Sequence, residues 1–66
     1  MFKIQYRNPQ GRMVTAQSFD RDEIQRLADK AQREMAETHE LRVREVAVDE
    51  ASGDFIWADC TADFTR

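Results

Sequence analysis

Few side chains in this sequence could perform acid–base, nucleophilic or metal chemistry. The chain has one histidine, His39, and one cysteine, Cys60. Protein zinc sites use three or four ligands, so these two residues cannot build one together. His39 falls at the end of a predicted helix, where an imidazolium is stabilised by the helix dipole. Cys60 points to the same apolar side of the predicted strand as Ala58, which predicts a buried, inert thiol.

The carboxylates cluster in residues 20–23 and 49–54, and both clusters have structural interpretations. Asp20 and Glu23 have the spacing of a helix capping box. The second cluster flanks a predicted turn, where solvated acids are common. The two glycines are isolated turn residues, so the sequence has no glycine-rich phosphate loop. We therefore predict a protein that is not an enzyme and that uses no metal and no cofactor.

Residues 54–60, Asp-Phe-Ile-Trp-Ala-Asp-Cys, are the most informative segment. Side chains alternate across a strand, so Ile56, Ala58 and Cys60 point one way. Phe55 and Trp57 point the other way. A chain of 66 residues has room for one core. One of the two sets is therefore expected to stay outside, and the register of this strand decides whether that set carries the tryptophan.

The elements around this segment follow from apolar periodicity and turn chemistry. The pattern predicts strands at about residues 2–7, 13–19, 41–49 and 55–60, and a helix at about residues 20–38. Asn8-Pro9-Gln10-Gly11 has the preferences of a type I turn, and Ala51-Ser52-Gly53-Asp54 supplies the second turn. The chain is thus predicted to be one domain, residues 1–66. Its fold is α+β, a four-stranded antiparallel sheet with one helix on one face, in the order β-β-α-β-β.

Two further expectations concern the start of the helix and the third strand. Phe19 and Ile24 flank the predicted cap and are expected to form a hydrophobic staple. The apolar residues of the third strand change parity between Val43 and Val46. Either a β-bulge near Arg44 restores one buried face, or the strand is apolar on different faces at its two ends.

The sheet face turned away from the helix is predicted to be basic. If Phe2, Ile4 and Tyr6 face the helix, the bases between them face outward. The predicted partner face contains Lys3, Arg7, Arg42, Arg44 and Trp57. Arg and Trp dominate binding hot spots, so a protein partner fits this face. Basic residues together with aromatic residues also bind single-stranded nucleic acid. A pI near 5.0, however, is not typical of the strongly basic surface of a nucleic-acid-binding protein. Charged residues that merely keep an open sheet soluble are a third explanation.

Composition limits the setting in which such a face would act. The net charge is −3, and residues 1–19 carry three bases and no acid. No apolar run reaches the length of a membrane span, so a cytoplasmic location without a membrane partner is expected. A domain this small without disulfide or metal is marginally stable, and a homodimer is one common remedy.

The layout resembles the small phage-encoded anti-CRISPR proteins of type I-F, in which two β-hairpins flank one helix. The residues that carry the resemblance are Ala16-Gln17-Ser18 before the helix and Trp57-Ala58-Asp59-Cys60 in the last strand. The chain departs from that pattern in its acidic helix and its polar tail. The resemblance implies an inhibitor that binds a CRISPR–Cas surveillance complex in the bacterial host cytoplasm. Alternatives are a single-stranded nucleic-acid-binding domain and a homodimeric structural or regulatory module.

Overall fold

A computed structural model describes residues 1–34 and 40–65 of the chain. The elements are strands β1 (Phe2–Arg7), β2 (Met13–Ser18), β3 (Arg42–Val48) and β4 (Phe55–Asp59), helix α1 (Arg21–Glu34), and a short 3₁₀ helix, Thr61–Asp63. The predicted α+β fold, with the order β-β-α-β-β, is confirmed. His39 and the last predicted helical residues, 35–38, lie outside the described residues.

The four strands form one antiparallel sheet in the order β2-β1-β3-β4. The turn between β1 and β2 closes through the Gly11 N–H, which donates to the Asn8 carbonyl at 2.8 Å. Gly11 has a φ of 83°, a left-handed conformation that only glycine adopts without cost. The two central strands are therefore β1 and β3, and the free edges belong to β2 and β4.

The core lies between the sheet and α1, over the β1 side of the sheet. Ile4, Ile24 and Val43 are fully buried there, with Ala28 and Ala31 facing the sheet from the helix. Val14 and Ala16 of β2 are partly buried against this cluster. Over the described residues, α1 lies closest to β1 and β2, and Val43 of β3 belongs to the same core.

The segment after β4 completes the core on the helix side. Phe64 is 2% exposed, and its ring meets the Phe2 ring edge to face at 5.7 Å. The Arg21 guanidinium lies 4.5 Å from the Phe64 ring centroid, and Gln25 Nε2 donates to the Phe64 carbonyl at 2.9 Å. Thr61 Oγ1 accepts from the Val43 N–H at 2.9 Å. The polar tail thus ties α1 to the central strands through one aromatic anchor.

The start of α1 differs from the sequence prediction in two ways. Asp20 does cap the helix, since its Oδ1 accepts from the Asp22 N–H at 2.9 Å. Glu23 does not bond back to the Asp20 N–H. Ser18 Oγ accepts from that N–H at 3.0 Å and contacts the Glu23 carboxylate at 3.0 Å. The predicted staple is wrong as well, because Phe19 is 80% exposed while Ile24 is buried.

Strand β3 pairs regularly with both neighbours, so it contains no bulge at the change of parity. Val43 pairs with Ile4 and faces the helix, whereas Val46 pairs with Trp57 on the opposite face. The second alternative from the sequence is therefore the observed one. The strand is buried on one face near Val43 and apolar on the other face toward its end.

Candidate functional site

Strands β3 and β4 continue beyond the end of β1 as a two-stranded ribbon. The pairing of β1 with β3 ends at Phe2 and Glu45, and the last link is the Val46 N–H to the Met1 carbonyl at 3.1 Å. Pairing of β3 with β4 continues to Val48 and Phe55. We call residues 46–57 the projecting hairpin. Because α1 lies over β1 and β2, neither face of this hairpin is covered by the helix.

Exposed apolar side chains are concentrated in the projecting hairpin. Among the described residues seven large apolar side chains are exposed, and four of them lie here. Phe55 is 78% exposed, Val48 56%, Ile56 45% and Trp57 39%. Val48, Phe55 and Trp57 lie on the outer face, the sheet face turned away from α1, and Ile56 lies on the helix side. Isolated two-stranded ribbons are marginally stable, so an apolar one that remains uncovered is unusual.

All five residues of the predicted partner face lie on the outer face. Alternation along the strands and the pairing of Lys3 with Arg44 place the four bases on the same side as Trp57. Lys3 Nζ lies 4.7 Å from the Trp57 ring centroid, which is within the range of a cation–π contact. The sequence left open which side chains of the last strand stay outside, and the structure shows that Phe55 and Trp57 are on the outer face.

The structure brings Lys3, Arg44 and Trp57 together but separates Arg7 from them. Arg7 lies at the opposite end of β1, where its Nε donates to the Glu40 carboxylate at 2.7 Å. Arg44 lies across the ladder from Asp59. The predicted basic face is therefore divided, with Arg7 neutralised near the β1–β2 turn and Lys3 over the tryptophan.

Arg42 lies between these groups on the outer face. Its Nη1 donates to the Leu41 carbonyl at 2.8 Å. It pairs with Gln5 in the ladder, so it is two positions from Arg44 on the same face. The bases thus form a line along β3 that leads to the apolar residues of the projecting hairpin.

Sequence reasoning did not include several residues of this surface. Val46 and Val48 extend the Phe55 and Trp57 cluster across the ladder, where cross-strand neighbours contact one another. The signal that could have found them was the change of parity in β3. That change is compatible with a bulge or with a two-faced strand, and a two-faced strand in a one-core domain exposes apolar surface.

Carboxylates surround the projecting hairpin. Residues 49–65 contain five acids and no Lys or Arg. Hydrogen bonds from the Thr61 hydroxyl and from the Thr61 N–H hold the pKa of Asp59 below its usual value. Asp59 is thus firmly ionised at neutral pH. The hairpin presents apolar side chains within an acidic border.

Cys60 follows β4 and packs partly against the core. Burial, followed by the nearby carboxylates Glu45 and Asp63, raises the pKa of its thiol. The thiol is therefore protonated at neutral pH and a weak nucleophile. Within residues 1–34 and 40–65 no three metal-ligating side chains are grouped in a way that could hold an ion. No helix in the described part of the chain is long and apolar enough to cross a membrane.

No protein-family model matches the chain, and neither a curated protein nor a solved structure matches it. The resemblance to anti-CRISPR proteins stays a prediction. The functional argument therefore depends on the geometry of the projecting hairpin.

Proposed function

We propose that this protein acts without catalysis, by binding a protein or ribonucleoprotein partner through the outer face of the projecting hairpin. The observation that carries the proposal is the exposure of Val48, Phe55 and Trp57 on one face of a ribbon that no other element within residues 1–34 and 40–65 covers. Burying such side chains against a partner gains about 1.5–3 kcal/mol for each large one. A contact centred on three of them supplies part of the binding free energy, and the surrounding polar residues complete the interface.

Lys3 and Trp57 form the centre of the proposed contact. Trp is the residue type most enriched among binding hot spots, and hot spots lie where a partner can exclude water. The Lys3 ammonium over the ring restricts the indole before binding. Arg44 and Arg42 extend the contact along β3 as a polar border, where charges steer association more than they hold the complex.

The same contacts count against a nucleic-acid partner. Base stacking needs an aromatic face, and the indole face is shared with Lys3. Arg7 is paired with Glu40, and Arg44 lies beside Asp59. The five acids of residues 49–65 would repel phosphates from the hairpin. A protein surface, including the protein subunits of a ribonucleoprotein, fits these charges better.

The anti-CRISPR resemblance supplies the first partner class to test, a CRISPR–Cas surveillance complex of type I-F. In the test, the tagged protein is mixed with lysates of several bacterial hosts that carry such systems. We expect the wild type to retain the surveillance complex and to reduce its DNA cleavage. Absence of both effects in every host would contradict the anti-CRISPR assignment.

The binding surface is tested with matched phenylalanine variants. Phe55 and Phe19 are 78% and 80% exposed, so Phe55→Ala and Phe19→Ala remove the same side chain from equally open sites. We expect Phe55→Ala and Trp57→Ala to weaken the complex by about tenfold or more. Phe19→Ala should leave it unchanged. Equal affinity of all three variants would refute the hairpin as the binding surface.

A further inference from the structure

We infer that the free edge of β4 binds an extended segment of the partner by strand addition, and that the segment carries basic residues at its ends. This inference rests on the proposed function and specifies its binding mode. In strand addition, main-chain hydrogen bonds provide affinity and alternate side chains provide specificity. The hydrogen-bonding pattern of β4, the composition of its edge and its charge support this binding mode.

The ladder leaves the backbone groups of Phe55 and Trp57 unpaired at the edge. Antiparallel ladders alternate between pairs that exchange hydrogen bonds and pairs that do not. The Asp49 N–H donates to the Asp54 carbonyl at 2.8 Å, which fixes the parity of the β3–β4 ladder. By this alternation Ile56 and Ala58 bond to β3. The N–H and C=O groups of Phe55 and Trp57 then point away from the sheet.

In the part of the chain that the structure describes, the β4 edge has none of the devices that usually protect an edge strand. Natural edges are blocked by lysine, proline, bulges or a covering element. β4 contains no lysine or proline, its pairing is regular, and α1 does not cover it. Its first three residues, Phe55 to Trp57, are apolar and exposed in succession. The other edge, β2, alternates exposed Thr15 and Gln17 with partly buried residues that pack on the core.

Charge indicates the chemistry of the occupant. Asp54 and Asp59 lie at the two ends of the β4 edge, and residues 49–65 contain five carboxylates and no Lys or Arg. The base beside them in the ladder is Arg44, which lies across from Asp59 on the side away from the edge. A second copy aligned antiparallel on β4 would bring the Asp54 end of one strand near the Asp59 end of the other, and like charges at this distance are unfavourable. A strand with apolar residues at alternate positions and Lys or Arg at both ends would meet opposite charges.

The test is amide hydrogen exchange of the full chain, followed by NMR, with synthetic peptides as probes. One peptide alternates Val and Thr and carries two lysines at each end, and a second has glutamates in their place. We expect the lysine peptide to slow exchange at the Phe55 and Trp57 N–H groups several-fold. Ile56 and Ala58, already bonded to β3, should change little. The glutamate peptide should have no effect.

Two controls separate strand addition from simple apolar contact. The lysine peptide N-methylated at alternate residues keeps its side chains but cannot bond to β4, and we expect it not to bind. Phe55→Pro and Phe55→Ala both remove the ring, but only proline removes the outward N–H. Proline is tolerated at edge positions of this kind. Phe55→Pro should therefore bind the peptide more weakly than Phe55→Ala, with the fold of each checked by its NMR spectrum.

Three outcomes would overturn the inference. The first is equal binding of the lysine and glutamate peptides, or binding of the methylated peptide as tight as that of the unmethylated lysine peptide. The second is slower amide exchange at the β2 edge in place of the Phe55 and Trp57 N–H groups. The third is slower exchange without any peptide that increases with protein concentration and accompanies a dimer mass. The last outcome would identify a second copy as the occupant. None of them affects the comparison of Phe55→Ala with Phe19→Ala, so strand addition can fail while the proposed binding surface stands.

Discussion

The two hairpins of this domain have similar lengths, but the apolar residues of one are buried and many of those of the other are exposed. The β1–β2 hairpin lies under α1, and its apolar residues Ile4 and Tyr6 are buried. The β3–β4 hairpin begins on the same sheet but continues past β1, and its apolar residues Phe55 and Trp57 are exposed. One helix of 14 described residues covers only part of a four-stranded sheet. The covered hairpin therefore stabilises the fold, whereas the projecting one is available to a partner.

This division also explains why the tail after β4 returns to the helix. Phe64 packs in the core with Phe2 and Ile24, beside the first turns of α1. The chain thus buries one aromatic residue from its last segment and leaves two others outside, only a few residues earlier. Burial here follows position relative to α1 and not the hydrophobicity of the side chain.

The largest expected effect contrasts two phenylalanines. Phe64→Ala should reduce the free energy of unfolding by about 3–5 kcal/mol, because it removes a fully packed ring. Phe55→Ala should change it by less than about 0.5 kcal/mol, because that ring is in solvent. Urea unfolding monitored by circular dichroism measures both. Similar losses for the two variants would contradict the division of roles between the hairpins.

The next effect concerns the helix that creates the division. Asp20→Ala removes the side chain that caps the Asp22 N–H and should cost about 1 kcal/mol of unfolding free energy. Asp20→Asn keeps a capping oxygen and serves as the matched control. Both variants should keep the partner affinity of the wild type in the folded state. A loss of affinity in folded Asp20→Ala would mean that α1 takes part in binding.

A smaller effect is expected where the two hairpins meet, at the Lys3–Trp57 contact. Lys3→Met keeps the aliphatic stem and removes the cation, which should cost about 0.5–1 kcal/mol. The same change in a Trp57→Leu background should cost nearly nothing. A double-mutant cycle of unfolding free energies measures the difference. A coupling energy of zero would show that the cation does not stabilise the indole.

The smallest effect is a pH dependence at Asp59, at the base of the projecting hairpin. Its pKa is lowered in the folded state, chiefly by the Thr61 hydroxyl and then by the Thr61 N–H. Because the folded value is the lower one, the contribution to stability is present above the usual value of 3.8 and is lost as the pH falls through the folded pKa. Thr61→Val should raise the pKa of Asp59 in an NMR titration, and Thr61→Ser should preserve it. No difference between the two variants would exclude the hydroxyl as the cause.

Much of the fold could be predicted from the sequence because periodicity and turn residues are local signals. The alternation of Phe2, Ile4 and Tyr6 and the Asn8–Gly11 turn predict the first hairpin without tertiary information. The capping details were not predicted, because the local contact of the Ser18 hydroxyl with the Asp20 N–H takes the place of the capping-box bond from Glu23, and the hydroxyl donates to the Glu23 carboxylate instead. The same arrangement leaves Phe19 in solvent.

The candidate site was predictable in composition but not in extent. If the apolar residues of the first and third strands face the helix, alternation places Lys3, Arg42 and Arg44 on the opposite face of the sheet. The position of Trp57 on that face depends on the register of β4, which the sequence leaves open. The length by which β3 and β4 pass the end of β1 depends on strand order, which no local pattern encodes. The separation of Arg7 from the tryptophan has the same origin.

The central claim, that the projecting hairpin is the contact surface, is tested most directly by site-specific photo-crosslinking in a host that carries the candidate partner. A photoreactive phenylalanine analogue replaces Phe55 in one variant and Phe19 in the other, two sites of nearly equal exposure. We predict a crosslink to one defined partner subunit from position 55 and none from position 19. Equal crosslinking from both positions, or crosslinking from position 19 alone, would contradict the claim.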